Sequence, residues 1–188
     1  MKLNWSISPA LRWQGAAFLA VAVLTGGCPR VLYLDYQPST VMKGNGPVQV
    51  DTFAYSGHPT GLMKKREVES SSRDVEALYL SPEIGVFFTN AVKAELAFAG
   101  YELKPNSERI VSGKIEHFFL DYVGEQDQRF YIGVTFYVGR KEGPPFTSSC
   151  RSDQQQPKYW MKSGLLIKSG ITDCIEQFIK DAKAAGAI

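Results

Sequence analysis

Cysteine and histidine offer the widest chemistry of the residue types in this 188-residue chain, which has three of the first and two of the second. His58 falls in a loop rich in Gly and Pro, and His117 in a β-rich run beside Glu116. A metal centre needs several ligands converging, and these histidines are far apart in the chain with no cysteine pair at ligand spacing. Each reads as a solvated or hydrogen-bonded structural histidine, and no metal site is expected. No glycine run leads into Gly-Lys-Ser or Gly-Lys-Thr to cradle a phosphate, and no Gly-x-Ser-x-Gly turn presents a nucleophile. Carboxylates for acid-base work are present, but nothing singles out a pair. The residues therefore predict no catalytic constellation and no cofactor.

The cysteines divide by position. Ahead of Cys28, the stretch Met1 to Trp13 carries Lys2 and Arg12 and no acid, and the uncharged run from Gln14 to Gly27 has an apolar heart from Ala16 to Leu24. That is the order of a secretory signal. Crossing a bilayer takes about 20 apolar residues, more than this run supplies. Leu24-Thr25-Gly26-Gly27-Cys28 resembles a lipobox, which implies cleavage after Gly27 and acylation of Cys28. Two or three acyl chains, at about 0.8 kcal/mol per buried methylene, would hold the chain to a membrane without help from the rest of it. The expected organisation is a signal peptide over 1–27, a lipidated anchor and short tether over 28–30, and one periplasmic domain over 31–188. Pro29 and Arg30 alone span the tether, a reach of roughly 10 Å. Pro29, standing where Asp would mark inner-membrane retention, leans the expectation towards the outer membrane. In such an oxidising compartment Cys150 and Cys174 are expected to form a disulfide in preference to two buried thiols, worth roughly 3 kcal/mol.

Lys2 and Arg12 are among the 21 basic residues, so removing 1–27 leaves 21 − 2 = 19 against 19 acidic ones. A neutral surface argues against nucleic acid as a partner, because phosphate binding needs a basic excess. The one basic cluster, Lys64-Lys65-Arg66, runs straight into Glu67 and Glu69 and reads as a solvated loop or edge.

The elements that position these residues follow from periodicity. Val31 to Tyr36 reads as a first strand. After a turn at Gly44 to Pro47, alternation through Val48, Val50 and Thr52 gives a second strand that ends at Phe53. Ser56 to Gly61 is a loop, and Met63 to Val68 reads as a short edge strand. Ser81-Pro82-Glu83 has the form of a helix start with Ser81 as the cap, and Ile84, Phe88, Val92, Leu96 and Ala99 mark one helical face, closed by Gly100. Arg109 to Tyr122 and Arg129 to Arg140 form a hairpin. In its second arm Phe130, Ile132, Val134, Phe136 and Val138 face a core, and Tyr131, Thr135 and Tyr137 face away. Lys141 to Phe146 is a turn, and Thr147 to Gln156 is either a strand or a loop. A last helix carries Ile171, Ile175, Phe178, Ile179 and Ala182 on one stripe. The order β-β-α-β-β-(β)-α implies an α+β fold, a mixed or antiparallel sheet with two helices packed on it.

Between the polar segment and the last helix stand Tyr159, Trp160 and Met161. Amphipathic side chains in such a connection either form an interaction patch, at a protein interface or at lipid headgroup level, or cap the core. The arrangement as a whole resembles the YajG family of bacterial lipoproteins: the lipobox at Cys28, the strand close behind it, the strand at Val48 to Phe53, the helix closing in Ala99-Gly100-Tyr101, and the amphipathic last helix. It is similar in layout to the auxiliary lipoproteins of ABC-type transporters. The resemblance implies no catalytic residue. It implies a membrane-anchored envelope lipoprotein that binds or scaffolds an envelope protein or lipid, or alternatively an accessory subunit of a lipid or solute transport system.

Overall fold

A computed structural model describes residues 30–57, 64–70, 77–123, 127–139, 144–157 and 163–188. Gly27, Cys28, His58 and the segment Tyr159-Trp160-Met161 lie outside the described residues.

The strands are β1 (Arg30–Tyr33), β2 (Pro47–Val50), β3 (Ala54–Tyr55), β4 (Leu78–Ser81), β5 (Glu102–Leu103), β6 (Ile110–Val123), β7 (Asp127–Gly139) and β8 (Phe146–Pro157), with helices α1 (Ile84–Ala99) and α2 (Ser163–Ala184). The fold is α+β as expected, and its sheet is mixed. In the larger sheet, β6, β7 and β8 run antiparallel in the order β5-β2-β6-β7-β8, while β2 and β3 lie parallel to β6 along its other edge. The second sheet pairs β1 with β4 in parallel. Bridges from Glu67 to Tyr79 and from Glu69 to Phe119 link the two sheets.

Both helices lie on one face of the larger sheet, α2 along β7 and β8 and α1 beside β2, β3 and β5 with Phe88 reaching β7. On β7 the alternation expected from the sequence holds: Phe130, Ile132, Val134, Phe136 and Val138 are buried. Phe136 stacks on Phe178 of α2 with ring centroids 4.4 Å apart and meets Phe53 edge-on at 5.5 Å. Phe88 of α1 lies 6.0 Å from the same ring. One aromatic cluster thus fastens both helices to the sheet. α2 approaches closely at Gly170, where a Cβ would stand 2.8 Å from the Phe130 ring.

Departures from the sequence reading arise where partners distant in the chain decide the local structure. Ser81 does not cap α1. It pairs with Tyr33 as the last residue of β4, its bond to Pro82 is cis, and the helix begins at Ile84, whose N–H donates to Lys65 O at 3.0 Å. The first strand leaves its ladder after Tyr33 because the chain then enters the groove between the helices. The second strand ends at Val50, short of Phe53, and β3 follows beyond it; both are held by β6. The undecided stretch Thr147 to Gln156 is strand, paired residue for residue with β7. The other end of α1 closes as expected, with Gly100 in the left-handed conformation at φ 103° and its N–H bonded to Ala97 O.

Candidate interaction surface

The segment that follows β1 is held by a carboxylate. Glu95 of α1 is fully buried and accepts hydrogen bonds from Tyr36 OH at 2.5 Å, Thr40 N at 2.8 Å, Ser39 N at 3.1 Å and Thr172 Oγ1 at 3.2 Å. A buried carboxylate is costly unless its oxygens are paired, and here they are. Burial, reinforced by the Glu95 carboxylate, pushes the Tyr36 phenol well above its ordinary pKa. Further along, Val41 N donates to Glu176 Oε1 at 2.8 Å and Gly44 N to Ala99 O at 2.8 Å, and the Lys183 ammonium donates to Lys43 O. Residues 34–44 therefore form a strap bonded to both helices. Sequence reasoning missed Glu95. Its signal was an acid between Val92 and Leu96, inside the apolar stripe.

Among the described residues no helix lies over the opposite face of β6 to β8. Tyr131 and Thr135 are half-buried there, Tyr137 is 40% exposed, and Ser149 and Arg151 of β8 stand in solvent. A bulge in β6 between Ile115 and His117 shifts the register by one residue. The core-facing set therefore changes from Val111 and Ile115 to Phe118 and Leu120, and Glu116 and His117 fall on the bare face. Glu116 accepts from Thr135 Oγ1 at 3.1 Å. His117 Nδ1 lies 3.2 Å from Glu69 Oε2, while Glu69 Oε1 accepts from Tyr55 OH at 3.0 Å and Phe118 N at 2.8 Å. Burial and the Glu69 carboxylate raise the Tyr55 phenol far above its usual pKa. His117 is the hydrogen-bonded histidine its sequence setting suggested. Among the described residues no three His, Cys, Asp or Glu side chains gather as metal ligands would.

Cys150 of β8 and Cys174 of α2 are joined, with sulfurs 2.11 Å and Cα atoms 5.3 Å apart. The basic cluster is spent locally: Lys64 pairs with Glu67 at 2.7 Å, Lys65 with Glu83 at 3.9 Å, and Arg66 Nε donates to Leu80 O. A hollow of about 420 Å³ is lined by Val48, Val50, Leu103, Lys93 and Lys104 among others. No described helix is long and apolar enough to cross a membrane.

No family model matches this chain, and neither does the sequence of any curated protein. Solved structures share its fold. Protein XCC0632 from Xanthomonas campestris, of family DUF330, superposes with a TM-score of 0.58 over 83% of this chain and 96% of that one, at 9% identity. An uncharacterized protein gives 0.53 over 83% and 98%, at 12% identity. Rare lipoprotein B from Shewanella oneidensis follows at 0.41 over 73% and 96%, at 10% identity. At such identities the likeness to the first two is one of fold alone.

Proposed function

We propose that this chain is a membrane-anchored lipoprotein of the bacterial envelope, lipidated at Cys28, that works without catalysis by binding or scaffolding another envelope component through its bare sheet face. The observation that carries this reading is the contrast across β7: one side is filled by both helices, while the other presents Tyr131, Tyr137 and their neighbours with no described element above them. Tyrosines supply large contact area at low entropic cost, which suits such a surface to recognition. The lipobox ending in Cys28 supplies the anchor, and the outer membrane facing the periplasm is the location its flanking residues favour.

Two experiments test the reading. Cys28→Ser should leave the precursor uncut or release a soluble form; continued cleavage after Gly27 with detergent-phase partition would refute the anchor. Photo-crosslinkers placed at Tyr137 and Ser149 should capture an envelope protein or lipid in living cells, and one at Lys180 on α2 should capture less. Recovery of transporter subunits or of lipid would define the module as a transport accessory. Equal or absent capture at all positions would sink the binding reading.

A further inference from the structure

The larger sheet ends differently at its two edges. β5 is two residues long and is followed at once by Lys104 and Pro105, short and guarded as natural edge strands are. β8 is twelve residues long, and its register with β7 runs unbroken from Phe146 to Pro157 without a bulge. It has no lysine, and its only proline is at the end. Among the described residues no strand pairs with its outer side. Such a strand turns alternate N–H and C=O groups outward and is a template for one more strand.

α2 lies along β8 and adds charge to this edge. Asp181 accepts from Ser148 Oγ at 2.8 Å, and Asp173 from Ser152 Oγ at 3.3 Å and Gln154 Nε2 at 2.5 Å. Ser148 and Ser152 are roughly 13 Å apart along the strand. No Lys or Arg among the described residues forms an ion pair with either aspartate.

We propose that β8 accepts an extended segment of another envelope protein as an added strand, and that this segment carries Lys or Arg on its helix-side face at positions four residues apart, opposite Asp181 and Asp173. The proposal rests on the reading that the domain works by contact, and it names where and with what. A second copy of this chain fits less well. Antiparallel pairing about Ser152 would set Arg151 opposite Asp153 of the second copy, but it would also turn the two Asp173 carboxylates towards each other, and like charges there are unfavourable.

The test titrates the full-length exported protein with a labelled peptide of alternating Thr and Val, in which two Thr positions four residues apart are Lys, and with its counterpart carrying Glu. The Lys peptide should bind and slow amide exchange in β8 and not in β5, with the Glu peptide about fivefold or more weaker. Asp173→Asn with Asp181→Asn keeps an acceptor for Ser152 and Ser148, and should erase the difference at unchanged melting temperature. Absent protection of β8 at millimolar peptide, equal binding of both peptides, or a β8-paired dimer of the protein itself would overturn the assignment. If crosslinks from Tyr137 persist while the peptides fail, the edge assignment falls and the contact reading stands.

Discussion

The two faces of β7 lie one residue apart in sequence and carry different duties. Phe136 sits among Phe53, Phe88 and Phe178, while its neighbour Tyr137 is 40% exposed. The side chains at even positions hold two helices to a sheet, and those at odd positions meet only neighbours on the same sheet face, as Thr135 meets Glu116 and Arg129 meets Asp153. An apolar face left uncovered would associate indiscriminately. This one mixes Tyr with Thr, Ser, Arg and His, so it stays wet while offering ring surface. Burial and recognition are thus separated by the simplest geometry available, the alternation of a strand.

The sharpest way to break that comparison is a matched pair of substitutions. Phe136→Ala empties the centre of the aromatic cluster and should cost about 3–5 kcal/mol, read by denaturant unfolding. Tyr137→Ala should change stability by no more than about 0.5 kcal/mol while reducing capture at the bare face. If Tyr137→Ala destabilises like its neighbour, that face is covered after all.

A smaller effect is expected at Glu95, which belongs to the covered side. Glu95→Ala leaves the N–H groups of Ser39 and Thr40 without their acceptor and should cost about 1–3 kcal/mol. Amide exchange at Thr40 and Val41 should speed up before the sheet is affected. A global loss with no local change in the strap would show that Glu95 serves packing and not the strap.

How far the sequence revealed this arrangement depended on the range of the interactions. The alternation in β7 and the helical stripes of α1 and α2 are local patterns, and they placed the core correctly. Ser81-Pro82-Glu83 was misread because its capping signature is local, while the pairing of Ser81 with Tyr33 joins residues distant in the chain. β8 was undecidable for a related reason: its alternate buried positions are Ser148, Cys150 and Ser152, polar or small, so burial left no hydrophobic signature. Their partners Asp181, Cys174 and Asp173 are on α2 and cannot be inferred by periodicity. The bare face was visible as the second set of residues on β7, but only the structure shows that the helices take the other side. Tyr159, Trp160 and Met161, which the sequence offered as either an interaction patch or a cap on the core, lie outside the described residues, so the interaction surface argued for is a different one.

The smallest expected effect concerns the ion pair of the bare face. Arg129 Nε donates to Asp153 Oδ1 at 2.8 Å, and both side chains are 45% exposed. The hydrogen bond from Arg129 holds the Asp153 carboxyl below its usual pKa. The folded state then binds fewer protons at this group than the unfolded chain does. Its contribution is present above the ordinary Asp value of about 3.9 and is lost as pH falls through the lowered folded value. Because water and salt screen the pair, that contribution is small. NMR titration should find the Asp153 midpoint below that of an unpaired Asp, shifting upward in molar salt, and Asp153→Asn should leave the unfolding midpoint at neutral pH within experimental error. A large loss on Asp153→Asn would mean that the charges of this face carry stability, and the division of labour across β7 would have to be abandoned.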